Sequence, residues 1–288
     1  MSIRIHPIKA FSDNYIWTLI NENNKQAIVI DPGQAQPVID YLETHEFELT
    51  SIWTTHHHHD HIGGVAELQE SYPMTHLVAH SEHGVDEDQT IKDGSTVSAW
   101  GCSAQVWDVS GHTASHMAYI LDIDGQKHCF CGDTLFSAGC GRVFTGTIEQ
   151  LHESFKRLNG LPHEALLYPA HEYTASNLRF GLSIEPDNES MQQALARAEV
   201  QTEQGMATLP VTLEHERTVN KFLTNSLLLS TYLIHHNSLL NVIAISLYLG
   251  SRHYGSLYLK KTTTDIADTI FDIACQFCDR TGGTGRAC

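Results

Sequence analysis

The segment Thr55–His61, with the sequence THHHHDH, concentrates side chains of the kinds that bind divalent metal ions. Residues two apart in an extended chain point to the same side, so His56 and His58 are predicted to hold one ion together. Imidazole nitrogens are preferred ligands of borderline metals such as zinc. The spacing of this segment therefore predicts a metal site.

Asp60 and His61 follow directly and form a mixed carboxylate and imidazole pair. If the chain turns into a helix opened by Gly63-Gly64, this pair faces a position beside the first ion, where it suits a second one. Neither pair completes a site alone. We expect His112 to supply a third nitrogen to the first ion and His171 a second nitrogen to the other.

A carboxylate between the two positions would complete the centre. Asp133 is predicted to bridge both ions because its side chain offers two oxygens. Bound metal lowers the pKa of water toward about 7, so the predicted nucleophile is a metal-bridged hydroxide that Asp60 orients. Asp60 and Asp133 are therefore the predicted catalytic residues, while His57 and His59 are predicted not to be ligands.

The predicted ligands all follow short apolar, β-branched runs that are typical of strands. The runs that precede the ligands are Ser51–Thr55, Gln105–Val109, Lys127–Cys131 and Ala165–Tyr168. A similar run, Ala27–Ile30, leads into Asp31-Pro32-Gly33. Stretches with helical periodicity lie between some of them, at Pro37–Glu46, Val65–Ser71 and Ile148–Leu158. Strands with interspersed helices predict a layered α/β domain, with the ligands at one rim of a sheet.

The pattern changes after Tyr173. Asn188–Gln204 and Leu213–Lys221 are predicted helices, so a smaller helical region is expected to follow the α/β domain. The tail, residues 225–288, is atypical because the chain contains no Asp or Glu between Glu216 and Asp265. Its apolar runs are interrupted and each is too short to cross a bilayer.

Composition and charge limit the possible partners. The chain is 41% hydrophobic and 18% charged, with a formal net charge of −17, which disfavours a nucleic-acid surface. The N-terminal residues lack the apolar segment of a signal peptide, and seven cysteines are an odd number that fits reduced thiols better than a disulfide framework. We expect a cytoplasmic monomer that acts on a small molecule, away from membranes.

The motifs resemble the metallo-β-lactamase superfamily and, within it, the glyoxalase II (hydroxyacylglutathione hydrolase) family. The resemblance rests on T-H-x-H-x-D-H at Thr55–His61, then on Gly132–Phe136, Gly139–Phe144, Gly146-Thr147, His171–Thr174 and Asn177-Leu178. It covers roughly residues 1–224. It implies an αββα sandwich that forms a dinuclear metal domain over residues 1–172, followed by a helical substrate-binding region over residues 173–224.

The resemblance also implies an activity. Members of this family hydrolyse S-(2-hydroxyacyl)glutathione thioesters, usually converting S-D-lactoylglutathione to D-lactate and glutathione, the second step of methylglyoxal detoxification. By the same resemblance, Arg142, Phe144 and Tyr173 line the glutathione site. The expected cofactors are two divalent ions, zinc first, with iron and manganese left open because His and Asp ligands accept all three.

The chain departs from the family pattern at residues 220–224. The family carries N-P-F-L/M-R there, whereas this chain has Asn220-Lys221-Phe222-Leu223-Thr224. Loss of the arginine is expected to weaken glutathione binding by about ten- to a hundredfold, or about 1.5–3 kcal/mol, with Lys221 as a partial substitute. A shifted reading frame, a fusion and genuine divergence remain alternative origins of the tail.

Two rival functions follow from the same residues. A glutathione persulfide dioxygenase on this scaffold would use a single iron held by His56, His112 and Asp133. Alternatively, a disrupted C-terminal region would leave an inactive product that only binds metal. Two bound ions without oxygen consumption would favour the hydrolase.

Overall fold

The computed structural model describes residues 3–224 of the 288-residue chain, so the predictions for the tail at 225–288 lie outside the described residues. Its first sheet has six strands in the order β1 to β6. They are β1 Ile3–Ala10, β2 Asn14–Asn21, β3 Gln26–Ile30, β4 Glu48–Trp53, β5 His76–Ala79 and β6 Gln89–Thr90. The β1–β2 and β2–β3 pairs are antiparallel, and the pairs from β3 to β6 are parallel.

A second six-stranded sheet follows in the order β14-β13-β10-β9-β8-β7. Its strands are β7 Thr96–Ala99, β8 Cys102–Asp108, β9 Met117–Ile123, β10 Gln126–Gly132, β13 Leu166–Pro169 and β14 Val211–Thr212. A short ribbon, β11 Leu135–Phe136 with β12 Gly139–Cys140, lies between β10 and β13 in the chain. All five predicted strands are therefore confirmed.

The two sheets pack face to face through aromatic side chains. Trp53 of β4 stacks on Tyr119 of β9 with ring centroids 5.0 Å apart, and Trp17 of β2 meets Tyr168 of β13 edge-on at 4.9 Å. The Tyr119 hydroxyl donates to the Thr54 carbonyl at 2.8 Å, which satisfies a polar group in the core. This contact fixes the chain immediately before the histidine run.

Helices cover the outer faces of the sheets. They are α1 Gln36–His45, α2 His59–Ile62, α3 Val65–Ser71, α4 Ile148–Asn159, α5 Thr174–Ile184, α6 Glu189–Glu203, α7 Leu213–Val219 and α8 Lys221–Thr224. α1 and α3 bury Val38, Leu42 and Leu68 in the core of the first sheet. α4 begins with a capping box between Thr147 and Gln150, a motif that satisfies the free N–H groups of a first helical turn.

The helical region after Tyr173 has a small core of its own. α5, α6 and α7 contribute Leu178, Met191, Ala194, Ala198 and Val219 to it. The same region also supplies β14, which pairs with β13 at the edge of the second sheet. The predicted αββα sandwich followed by a helical region is confirmed.

The helix predicted over Leu213–Lys221 is confirmed from Leu213 to Val219, but it ends before Asn220. α7 ends at Val219, and Asn220 adopts an extended conformation. The Asn220 side chain donates to the carbonyls of Phe136 and Gly139 at 3.1 and 2.9 Å, which draws it out of the helical path. Within residues 3–224, no helix combines the length and apolar character needed to cross a membrane.

Candidate metal centre

The histidine run leaves the end of β4 as an extended segment and then forms the single turn of α2. His58 has φ −66° and ψ 145°, so it is still extended, whereas Asp60 and His61 lie inside the helix. The expected helix after Gly63-Gly64 is present as α3, with Gly64 at its N-cap, but a separate short helix, α2, precedes the glycines and holds Asp60 and His61. Gly63 caps the C-terminal end of α2, and its N–H donates to the His59 carbonyl at 2.7 Å.

His56, His58 and His112 bring three nitrogens together as the first ligand group. His58 Nδ1 lies 3.1 Å from His56 Nε2 and 3.0 Å from His112 Nε2. Zinc–nitrogen bonds of about 2.0–2.1 Å in a tetrahedron separate ligand nitrogens by about 3.3 Å. The three imidazoles are therefore spaced to surround one ion.

Asp60, His61 and His171 form the second ligand group. Asp60 Oδ2 lies 3.5 Å from His61 Nε2 and 3.4 Å from His171 Nε2. His171 follows β13 in the second sheet, while the other two residues belong to α2 beside the first sheet. The group therefore forms only where the rims of the two sheets meet.

Asp133, which follows β10, lies between the two groups. Its Oδ1 is 3.5 Å from His61 Nε2, and its Oδ2 is 3.5 Å from His112 Nε2 and 3.3 Å from His171 Nε2. One carboxylate thus contacts histidines of both groups, as a bridging ligand must.

These residues fit a pair of divalent cations on two grounds besides spacing. First, His61 Nε2 and Asp133 Oδ1 are buried and lack a hydrogen-bond partner within the described part of the chain. A buried polar atom without a partner is costly, and a shared cation would satisfy both. Second, the set of imidazoles and carboxylates is the one that borderline divalent metals prefer.

Two imidazoles of the first ligand group and the Asp133 carboxylate are in the charge states that bind a cation. Burial lowers the pKa of His56, and lowers that of His58 to about 4, so both imidazoles are neutral and keep their lone pairs. Burial alone would raise the pKa of Asp133, but His171 and His61 hold it well below its usual range. The Asp133 carboxylate is therefore ionised at neutral pH.

Asp31 holds the start of the histidine run and the ligand His61, and it was not predicted as a site residue. Its carboxylate accepts hydrogen bonds from the N–H and the hydroxyl of Thr55, both at 2.7 Å, and it lies 3.1 Å from His61 Nδ1. Such an outer carboxylate fixes the orientation of a ligand imidazole. The signal in the sequence was its place at the end of a predicted strand, as for the ligands themselves.

Asp13 and Asn14 orient the second ligand group. Asp13 Oδ1 accepts from His171 Nδ1 at 2.8 Å, and Asn14 Nδ2 donates to Asp60 Oδ2 at 3.1 Å. Neither residue follows a strand that ends at the site, since Asp13 lies in the turn between β1 and β2 and Asn14 is the first residue of β2. Their roles depend on contacts between distant parts of the chain and left no signal in the sequence.

The three residues expected to bind substrate lie beside the two ligand groups. The Phe144 ring, 56% exposed, meets His58 and His112 edge-on at 5.0 and 5.2 Å, and the Arg142 guanidinium lies 5.3 Å from its centroid. On the other side, Tyr173 stacks on His171 at 4.8 Å. His57 and His59 join neither ligand group.

Lys221, the residue expected to substitute for the missing arginine, is already paired. Its Nζ lies 2.5 Å from Glu185 Oε2, and this ion pair joins the start of α8 to the end of α5. Lys221 therefore stabilises the helical region and would have to leave Glu185 before it could hold a substrate carboxylate.

Comparisons with known proteins decide the family. A family model described as the metallo-beta-lactamase superfamily matches residues 16–96, and one described as the hydroxyacylglutathione hydrolase C-terminus matches residues 172–240, a range that extends past Thr224. The hydroxyacylglutathione hydrolase of Neisseria meningitidis is 47% identical over 221 residues, which cover 77% of this chain and 85% of that protein. The chain belongs to the hydroxyacylglutathione hydrolase family.

Other relatives agree with this placement. The hydroxyacylglutathione hydrolase of Aliivibrio salmonicida is 46% identical over 223 residues, covering 77% of this chain and 86% of the relative. A metallo-beta-lactamase crystal structure from Staphylococcus aureus, 16% identical, superposes with a TM-score of 0.60 over 82% of this chain and 68% of its own, which shows the fold. As a member of the hydroxyacylglutathione hydrolase family, the chain is a hydrolase of the metallo-β-lactamase fold.

Proposed function

We propose that this member of the family hydrolyses S-(2-hydroxyacyl)glutathione thioesters, with S-D-lactoylglutathione converted to D-lactate and glutathione in the second step of methylglyoxal detoxification. The observation that carries the proposal is a pair of ligand groups sharing Asp133, in a chain 47% identical to a curated hydroxyacylglutathione hydrolase. Every cysteine within residues 3–224 is a free thiol, which supports the location of the protein in a reducing compartment, the cytoplasm.

We assign two zinc ions to the centre, with iron or manganese as substitutes that the same ligands would accept. His56, His58 and His112 would hold one ion, and Asp60, His61 and His171 the other, with Asp133 shared. Bound divalent ions lower the pKa of water toward about 7 and polarise a carbonyl oxygen, which is the chemistry that thioester hydrolysis requires.

Asp60 is suited to orient the attacking water. Its side chain is 40% exposed, against 9% for Asp133, so it is the more open of the two carboxylates. Burial alone would raise the pKa of Asp60, but the His171 and His61 side chains beside it and the hydrogen bond from Asn14 hold that pKa far below its usual range. A carboxylate with so low a pKa accepts a hydrogen bond from the water and sets its direction, without keeping the proton.

No protein nucleophile or acid is needed. A thiol has a pKa of about 8.5, so the glutathione sulfur can leave as a thiolate. Cys140, the cysteine near the site, cannot take part as a nucleophile because burial raises the pKa of its thiol to about 12. Attack by water therefore accounts for the reaction.

Arg142 and two aromatic residues are proposed to hold glutathione. No ion pair within residues 3–224 involves Arg142, so its guanidinium is available to a glutathione carboxylate, which it can bind through two parallel hydrogen bonds. Phe144 and Tyr173 offer apolar walls on opposite sides of the ligand groups. With Lys221 paired to Glu185, Arg142 is the cation proposed to contribute most to binding.

The test measures S-D-lactoylglutathione hydrolysis, metal content and oxygen uptake on one preparation of the full chain. We expect turnover with about two equivalents of metal, loss of turnover on chelation, recovery with zinc, and no oxygen uptake. Turnover that survives complete chelation would defeat the proposal. Oxygen uptake with a single iron would support the dioxygenase, and two ions without turnover would support an inactive product.

A further inference from the structure

His116 lies in the core directly behind the metal centre and is not one of its ligands. Its side chain is fully buried, one residue before β9. The ring stacks on His56 with centroids 4.6 Å apart and planes 18° apart, and it meets His112 edge-on at 5.9 Å. It therefore touches two histidines of the first ligand group.

Both ring nitrogens of His116 are used by the backbone. The Asp133 N–H donates to Nε2 at 3.1 Å, and Nδ1 lies 3.1 Å from the Met117 carbonyl oxygen. A carbonyl can only accept and an amide N–H can only donate, so the single ring proton is on Nδ1 and the Nε2 lone pair faces Asp133. Neither nitrogen has a lone pair left for an ion.

The chain bends sharply beneath this ring. Gly132, the last residue of β10, has φ +50°, and a Cβ placed there would lie 2.7 Å from His116 Cε1 and 2.5 Å from Thr55 Oγ1. Glycine adopts a positive φ with little strain, and it has no Cβ to clash with the His116 and Thr55 side chains. The hydrogen bond from the Asp133 N–H fixes the peptide plane just after the bend, and with it the direction in which the Asp133 carboxylate leaves the backbone.

We propose that His116 is a positioning residue that aims the Asp133 carboxylate at both ligand groups. It acts through the hydrogen bond from the Asp133 backbone N–H, while its ring packs against His56 of the first ligand group. This inference rests on the dinuclear centre of the proposed function and adds a residue outside its ligand set. Loss of the contact would weaken binding of both ions, because both share Asp133.

Two substitutions separate the two hydrogen bonds of the ring. In His116→Gln the side-chain amide reaches the position of Nε2 and can still accept from the Asp133 N–H. In His116→Asn the shorter amide reaches only the position of Nδ1, so it can keep the Met117 contact but loses Asp133. Removal of an outer contact of this kind lowers metal affinity by about 10–100-fold.

His83 provides the matched control. It is also fully buried, and its ring nitrogens bond to the Thr54 hydroxyl at 2.8 Å and the Ser115 carbonyl at 2.9 Å. It contacts neither Asp133 nor a ligand histidine through these bonds. His83→Asn should therefore lower the melting temperature, because it removes a buried, hydrogen-bonded imidazole. Its zinc affinity should stay within about threefold of the wild type, a smaller change than loss of an outer contact to a ligand would cause.

The experiment measures zinc affinity and stoichiometry of the full chain by competition with a chromogenic chelator, together with melting temperature. We expect about 10–100-fold weaker zinc binding in His116→Asn and near-wild-type binding in His116→Gln. Unchanged affinity in His116→Asn, or an equal loss in His83→Asn, would overturn the assignment. A wild-type chain that binds no zinc, or binds it without hydrolysing the thioester, would instead defeat the proposed function.

Discussion

Asp133 places its carboxylate oxygens within 3.5 Å of histidines of both ligand groups. Its replacement by asparagine keeps the shape but removes the charge opposite His61, His112 and His171. We expect kcat/KM for S-D-lactoylglutathione to fall by about a thousandfold, equivalent to ~4 kcal/mol. Steady-state kinetics with metal analysis would measure this loss.

The control for that variant is Asp124→Asn, which removes an exposed carboxylate from the turn between β9 and β10. It should keep wild-type kinetics and metal content. Circular dichroism should show that both variants are folded. If Asp133→Asn retained most of its activity, a bridging role for this carboxylate would be excluded.

Substitution of Arg142 would test substrate binding separately from the hydrolytic step. Its guanidinium is exposed beside Phe144, and its backbone carbonyl accepts from His112 Nδ1 at 2.7 Å. Arg142→Ala removes the side chain but keeps that carbonyl, so we expect KM to rise about ten- to a hundredfold while kcat changes little. Arg142→Lys should recover only part of the loss, since a point charge lacks the two-pronged geometry. A fall in kcat at constant KM would contradict a binding role.

Spacing along the chain was enough to propose the ligand residues that the structure brings together, but not the residues that orient them. His56 and His58 share a face of one extended segment, so their convergence is local. Asp13 is 158 residues from His171, and His116 acts through the backbone of Asp133. Hydrogen bonds between distant segments leave no periodic pattern, so these roles became visible only in the folded chain.

Among the elements, the turn after β3 holds α2 in place. A Cβ on Gly33 would lie 1.9 Å from the Asp60 carbonyl oxygen and 2.8 Å from the Phe11 ring, so the turn and the ligand helix touch through a glycine. Gly33→Ala should displace Asp60, lower the free energy of unfolding by about 1–3 kcal/mol and weaken binding of the second ion. Urea unfolding and zinc titration would measure both effects.

Gly160→Ala is the control for crowding at a glycine. A Cβ there would meet the carbonyl oxygens of Arg157 at 3.2 Å and Lys156 at 3.8 Å, at the end of α4 and away from the ligands. It should leave zinc titration unchanged. If Gly33→Ala bound zinc as the wild type does, the close fit between this turn and α2 would not control the position of Asp60.

Helix and strand positions followed from apolar periodicity, and the exceptions have side-chain causes. The strands ending near the ligands were predicted from short, largely apolar runs that lead into a turn, as Ala27–Ile30 does. α2 begins at His59, ahead of the glycines, and α7 ends at Val219 where Asn220 turns to bond Phe136 and Gly139. Both boundaries depend on tertiary contacts, which periodicity does not record.

At the scale of the whole molecule, Glu216 joins the helical region to the sandwich. Its carboxylate accepts from the Ser137 hydroxyl and the Ala138 N–H, both at 2.8 Å, and from Asn220 Nδ2 at 3.0 Å. Ser137 and Ala138 form the turn of the β11–β12 ribbon, so α7 is fastened to the ribbon beside the metal centre. No property of the sequence marked this buried acid as the junction.

Glu216 also makes the stability of this junction depend on pH. Burial raises the pKa of Glu216 from 4.5 to about 7, outweighing the hydrogen bonds from Ala138, Asn220 and Ser137 that lower it. A carboxyl with a raised folded pKa binds its proton more tightly in the folded chain. Its contribution to stability is therefore lost as pH rises from the unfolded pKa through the folded one, and the loss is complete above about pH 7.

Glu216→Gln keeps the shape of the side chain and removes this titration. Its amide oxygen can accept from Ala138, and its NH2 group can donate to the Ser137 hydroxyl oxygen. Between pH 5 and pH 8, the wild type should lose about 2–3 kcal/mol of unfolding free energy relative to the variant. Urea unfolding of both chains with a chelator present would measure the difference, since titration of the metal ligands is then common to both and cancels. Parallel pH profiles would mean that Glu216 keeps its charge in the folded chain, and that its three donors compensate fully for burial.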